Sequence, residues 1–162
     1  MERGRRVAFD YGDIRIGVAI CDPDGIISSP LTVLATEKKS LASEIKTIFV
    51  EYEPIQIFVG LPKHLSGVES TSAEKARSFA ASLSELTDAE ITFIDERLST
   101  VSAQSKLREA GKSTRESKDL IDAMAAVEIL ELGLQRARSS QLSTYPSSLR
   151  LYGRSCHHRR AA

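Results

Sequence analysis

No stretch of the 162-residue chain approaches the ~20 apolar residues that a bilayer-spanning helix needs, so a membrane-embedded role is not expected. Arg3, Arg5 and Arg6 make the N-terminus basic, but a strand-like segment follows, without the apolar stretch and cleavage site of a secretory leader. Cysteine is scarce. Cys21 and Cys156 form neither a metal-ligand pattern nor a redox motif, and a cytoplasmic protein with reduced thiols is the plain expectation. Net charge is also absent, because 22 basic residues balance 22 acidic ones. That balance is uneven along the chain. Residues 135–162 hold six arginines and no Asp or Glu, which leaves the remainder acidic. Arg150, Arg154, Arg159 and Arg160 lie in a Ser-rich stretch without apolar periodicity. Residues 139–162 therefore read as a flexible basic tail, able to contact phosphates, behind one domain spanning residues 1–138.

The domain begins with strand signals. Val7–Asp10 is apolar, Tyr11-Gly12-Asp13 is a turn, and Arg15–Cys21 places Ile16, Val18 and Ile20 on one side. Asp22-Pro23-Asp24-Gly25 is a second turn, and Ile26–Leu34 gives a third strand. The period then becomes helical, with Leu41, Ile45, Ile48, Phe49 and Tyr52 on one face and Pro54 as the stop. Ile55–Val59 reads as a short buried strand broken by Gly60-Leu61-Pro62. Thr71 and Glu74 have capping-box spacing before a helix that buries Ala76, Phe79, Ala80, Leu83 and Leu86. Ile91–Ile94 is the fifth strand. Ala103, Leu107 and Ala110 suggest a third helix ended by Gly111, and Ser113 with Glu116 opens a long helix to about Arg136. This order predicts an α/β fold: a five-stranded mixed sheet flanked by helices on both faces.

Three carboxylates fall where the pattern should hide them. Asp10 ends an apolar strand, Glu96 follows another, and Asp122 interrupts Leu120-Ile121-Asp122-Ala123-Met124-Ala125-Ala126. A buried carboxylate is costly unless it meets a cation. Three that converge make a hard-oxygen site suited to magnesium or manganese, and so to metal-assisted phosphodiester hydrolysis. Each has a plainer alternative. Asp10 can simply start a turn, Asp95-Glu96-Arg97 can be a local ion-pair cluster, and Asp122 can lie on a polar helix face. Alanines around Asp122 let its helix lie close to the sheet. Gly12 can admit a phosphate to the backbone, Lys63 lies in a loop after a buried strand, and Arg97 can bind a phosphate or neutralise a carboxylate. With Arg15, these are the candidate nucleic-acid contacts. Asp13 reads as an exposed turn residue.

Four segments in order resemble the YqgF family, the RuvX-like Holliday-junction resolvases and pre-16S ribosomal RNA nucleases. They are Ala8-Phe9-Asp10-Tyr11-Gly12 with Arg15-Ile16-Gly17-Val18-Ala19; Gly60-Leu61-Pro62 with Gly67; Asp95-Glu96-Arg97-Leu98-Ser99-Thr100 with Ala103; and Ile121-Asp122-Ala123-Met124-Ala125-Ala126 with Ile129-Leu130. Together they cover most of residues 7–132. The resemblance implies a ribonuclease H-like fold, a cytoplasmic nuclease, and an acidic site on Asp10, Glu96 and Asp122 holding two Mg2+ or Mn2+ ions. Its substrate would be pre-rRNA or branched DNA, and the chain a monomer or homodimer. The chain departs from the family pattern where Lys112, Arg115 and Lys118 alternate with Glu116 and Asp119, and where Ser99 replaces a frequent Thr. Two other readings stand beside this one. A nucleotide-binding domain of the sugar kinase and actin kind needs two domains, for which the chain is too short. A binding protein of the same fold would lack turnover.

Overall fold

A computed structural model describes residues 1–62, 71–95 and 115–143. Five strands form one sheet: β1 (Arg6–Tyr11), β2 (Arg15–Cys21), β3 (Ser28–Ala35), β4 (Gln56–Leu61) and β5 (Glu90–Asp95). Their spatial order is β3-β2-β1-β4-β5. The first three are antiparallel neighbours, while β1, β4 and β5 run parallel. All three parallel strands therefore end at the same edge of the sheet. Three helices complete the described elements: α1 (Leu41–Tyr52), α2 (Thr71–Ser84) and α3 (Arg115–Ser143). The mixed five-stranded sheet expected from the sequence is present.

Alternation of side chains along each strand divides the core into two unlike layers. Val7, Phe9, Ile16, Val18, Ile57 and Val59 face α1 and α2, meeting Ile45, Phe49, Phe79 and Leu83. Phe9 meets Phe49 and Phe79 edge-on, with ring centroids 6.1 and 5.6 Å away. On the opposite face, Ala8, Ala19, Cys21, Phe58 and Ile94 pack against Ala126, Ile129, Leu130 and Leu134 of α3. The small residues of β1 and β2 let α3 lie close. A Cβ on Gly133 would come within 2.5 Å of the Phe58 ring, so the helix is equally tight where it crosses β4. Burial raises the Cys21 thiol above its ordinary pKa, which makes it an inert core group.

Three boundaries differ from the sequence reading, each for a local reason. The third strand begins at Ser28 rather than Ile26. The Asp22 carboxylate accepts the Ile26 and Ile27 N–H groups, both at 2.7 Å, and holds them in the turn. β4 does not break at Gly60 but runs through Leu61, because Gly60 and Leu61 pair with Ile94 and Asp95 of β5. Pro62, which has no N–H to offer, follows the last paired residue. The final helix continues past Arg136 to Ser143. Arg138 donates to the Gly25 carbonyl, tying this end of α3 to the turn between β2 and β3. The helix expected around Ala103–Ala110 and residues 144–162 of the basic tail lie outside the described residues.

The Asp22 turn gives a test of local stability. N–H donors of Ile27, Ile26 and Asp24 hold the Asp22 carboxyl below the usual carboxylate range. Its stabilisation is therefore fully present above the unfolded carboxylate pKa and is lost as pH falls through the depressed folded value. Asp22→Ala should lower the melting temperature at neutral pH. The gap from wild type should narrow in strongly acidic buffer, as followed by circular dichroism. A gap independent of pH would remove the carboxylate from this role.

Candidate active site

Asp10 lies one residue before the end of the central strand β1, on the same strand face as the fully buried Ala8. Its partner across the antiparallel ladder is Gly17. Ala8 belongs to the layer beneath α3, so alternation turns Asp10 and Gly17 toward that helix. Gly17 has no side chain for a specific reason. A Cβ there would overlap the Asp122 carbonyl oxygen and stand 2.6 Å from its carbon. The first half of α3 thus rests on β2 at Gly17, beside Asp10. Two of the three expected carboxylate residues meet around one glycine, although they are 112 positions apart in the chain.

Arg15 shares the strand face of Gly17. Its Nε donates to Asp122 Oδ2 at 2.6 Å and lies 3.7 Å from Asp119 Oδ1. The side chains of Arg15, Asp122 and Asp119 are 30%, 28% and 45% exposed, so the cluster sits at the sheet's edge, open to solvent. The hydrogen bond to Asp122 holds the Arg15 guanidinium above its ordinary pKa, assisted by the charges of Asp122 and Asp119. Arg15 is therefore a fixed cation in an acidic corner, and the structure sets this candidate phosphate contact against a candidate metal ligand. Asp119 does not stand out as a site residue in the sequence. The signal for it is the Asp119-x-x-Asp122 spacing, which puts both carboxylates on one helical face.

The remaining candidates divide. Gly12 makes a tight turn, since a Cβ there would lie 2.5 Å from the Arg15 carbonyl oxygen. The Gly12 carbonyl accepts the Thr36 hydroxyl at 2.7 Å. Asp13 is exposed, as expected of a turn residue, and pairs with Lys75 of α2 at 2.8 Å. Glu96, Lys63 and Arg97 lie outside the described residues. Asp95, which precedes Glu96 in the chain, ends β5 opposite Leu61, at the edge where β1 also ends. It borders a cavity of about 710 Å³ whose lining includes Leu61, Arg77, Phe93, Gln135 and Arg136. The Arg77 guanidinium lies over the Phe93 ring, 5.2 Å from its centroid.

Among the described residues, no three carboxylate, imidazole or thiol side chains are arranged to hold a metal ion. Asp10 and Asp122 are the described part of the expected set. Their donors are hard oxygens at a solvent-open sheet edge, a chemistry that fits magnesium or manganese.

A family model described as RuvX, Holliday junction resolvase, matches residues 4–136. The chain belongs to the RuvX family. Its relatives include proteins of Streptomyces avermitilis and Streptomyces coelicolor, each 42% identical over 142 residues and 86% of this chain. Those alignments cover 91% and 85% of the respective relatives. A relative from Mycolicibacterium smegmatis is 41% identical over 143 residues, covering 85% of this chain and 84% of that one. All three bear the name "Putative pre-16S rRNA nuclease". Among solved structures, T. thermophilus RuvC in complex with Holliday junction substrate aligns with a TM-score of 0.55 and 12% identity. The alignment covers 85% of this chain and 96% of RuvC, and it shows a shared ribonuclease H-like fold. This RuvX-family chain is thus a member of a nuclease family, with the fold expected from its sequence.

The close approach at Gly17 yields a direct test. Gly17→Ala places a methyl against a backbone carbonyl that cannot swing aside, so α3 must shift. Overpacking of this kind should lower unfolding stability by about 1–3 kcal/mol. Urea denaturation measures the loss. A stability equal to wild type would show that the helix is not held by close approach at this glycine.

Proposed function

We propose that this chain is a divalent-metal-dependent endonuclease acting on phosphodiester bonds in structured nucleic acid, with the 5′ end of pre-16S ribosomal RNA as its substrate. The observation that carries the chemistry is the meeting of Asp10 and Asp122 around Gly17 at the sheet edge. The names of the relatives support the choice of RNA.

Asp10 on the middle strand and Asp122 on α3, with Glu96 as the third carboxylate, would be the residues that hold the divalent ions. Magnesium or manganese bound there supplies the acidity that activates a water and the charge that stabilises the leaving oxygen. The protein's part is to hold these carboxylates on a rigid strand and helix. Lys63, Arg97 and Arg15 offer cations to the substrate's phosphates, and Gly12 lets the β1–β2 turn approach them. Arg77 and Arg136 extend this basic lining around the end of β5. No helix among the described residues is long and apolar enough to cross a membrane, and the proposed setting is the cytoplasm.

A second reading, cleavage of four-way DNA, is favoured by the description of the family model. It would call for a two-fold homodimer presenting two sites, whereas RNA maturation is open to a monomer.

Hydrolysis of a pre-16S 5′-end fragment and of a four-way DNA junction, each with Mg2+ and with EDTA, tests both readings. Cleavage of the RNA that needs metal, and falls at least about a hundredfold in Asp10→Asn and Asp122→Asn, is the expected result for charge-supplying ligands. Cleavage of the junction alone would move the assignment to DNA. Binding without turnover of either substrate would make the chain a binding protein of this fold.

Truncation after Ser143 keeps the whole of α3 while removing Arg150, Arg154, Arg159 and Arg160. RNA affinity should fall, and its logarithm should depend less steeply on salt, by roughly 0.7 for each single-strand phosphate that is no longer neutralised. Parallel salt plots for the two chains would exclude an electrostatic role for this segment.

A further inference from the structure

Arg15 is held by the acidic corner itself. Its guanidinium gives Nε to Asp122 Oδ2 at 2.6 Å and stands 3.7 Å from Asp119 Oδ1, two residues along β2 from the glycine that faces Asp10. The nearest cation to Asp122 among the described residues is therefore the protein's own. A divalent ion bound by Asp122 would face a like charge at close range, and Coulomb repulsion over a few ångströms is large even with solvent screening. One site cannot hold both cations in their best positions. The pairing can also be broken cheaply. A single Nε–H bond made by a 30% exposed side chain is easier to exchange than a buried two-pronged pair.

We propose that Arg15 is an exchangeable counterion. It pairs with Asp122 and Asp119 while the site lacks metal, and it leaves Asp122 when a divalent cation binds, which turns its guanidinium toward the substrate's phosphate. Metal binding and phosphate binding are then coupled through one side chain, and by linkage each strengthens the other. No covalent step is involved. The inference rests on the reading of Asp10 and Asp122 as metal ligands, and it assigns Arg15 a positioning role between metal and substrate.

Two measurements on the full chain separate the possibilities. The first is nitrogen–proton NMR of the Arg15 Nε–H group, assigned by its loss in Arg15→Lys. In EDTA this signal should be shifted from the exposed arginine envelope and protected from solvent exchange. At saturating Mg2+ it should move into that envelope, while the backbone amides of Asp10, Asp122 and Ala123 shift. The second is calorimetric Mn2+ affinity. Arg15→Gln should bind Mn2+ roughly tenfold more tightly than wild type, the order of change that altering a partner of a metal ligand brings. It should also lose the metal-induced gain in affinity for a non-cleavable RNA that wild type shows. If Mg2+ shifts the Asp10 and Asp122 amides but leaves the Arg15 signal protected, the exchange is overturned and the metal site stands. An unchanged or weaker Mn2+ affinity in Arg15→Gln overturns it as well. If Mg2+ moves none of these amides, the metal reading itself fails and the exchange falls with it. The NMR arm uses the wild-type chain, so it decides the matter even if Arg15→Gln does not fold.

Discussion

Helix α3 can lie across the sheet only because position 17 carries no side chain. The Asp122 carbonyl occupies the space that any Cβ at Gly17 would fill. That one approach sets the height of the helix over the β1–β2 pair. It also fixes how near the helix backbone at Asp122 lies to the paired residues Asp10 and Gly17. Gly133 over Phe58 makes a similar close approach farther along, so the helix is located at two points by absent side chains. Contacts between backbone and strand leave less room for rearrangement than contacts between flexible side chains, because interiors are packed near crystal density. A site that needs tightly placed oxygens benefits from being hung on such a support.

Placing Asp119 and Asp122 together at one corner works against the fold, since like charges repel and desolvation adds to the cost. The structure limits this in two ways. The corner is kept at the sheet edge, where Asp119 and Asp122 remain partly in water, and Arg15 is laid against both. Arg15 reaches them because it shares a strand face with Gly17, so the residue that admits the helix and the residue that neutralises it come from one short segment. The Arg15-Ile16-Gly17 triplet thus combines three tasks by alternation: charge toward α3, apolar side chain toward α1 and α2, and open space toward α3 again.

Much of this is legible from the residues. The order of strands and helices follows from changes of period, and Asp10 and Asp122 stand out because they interrupt apolar runs. Local pattern misleads where a long-range partner or a side-chain acceptor decides. Gly60-Leu61 looks like a terminator, yet pairing with β5 carries the strand on. Ile26-Ile27 looks like strand, yet the Asp22 carboxylate captures both N–H groups first. Asp119 is hidden because its neighbours Lys118 and Glu116 make a solvated face the natural assumption. Its significance depends on Arg15, 104 positions away, and no local pattern shows that pair. The same holds for the Arg15–Asp122 bond, since either residue alone is ordinary.

The two layers of the core divide the work between them. On the α1 and α2 side, large side chains interdigitate, and Phe9 meets Phe49 and Phe79 edge-on within the layer. Aromatic burial of that kind contributes strongly to stability and tolerates some adjustment among neighbours. On the α3 side the strands present Ala8, Gly17 and Ala19, and the helix answers with Ala123 and Ala126. Small residues bury less area each and so contribute less hydrophobic free energy. What they give is proximity, which large side chains would prevent. The acidic corner lies on the face built for closeness, while the opposite face supplies the stability that an assembly of carboxylates draws down. Substitutions on the two faces should therefore separate: those in the aromatic layer change stability first, and those at the small residues change the geometry of the corner first.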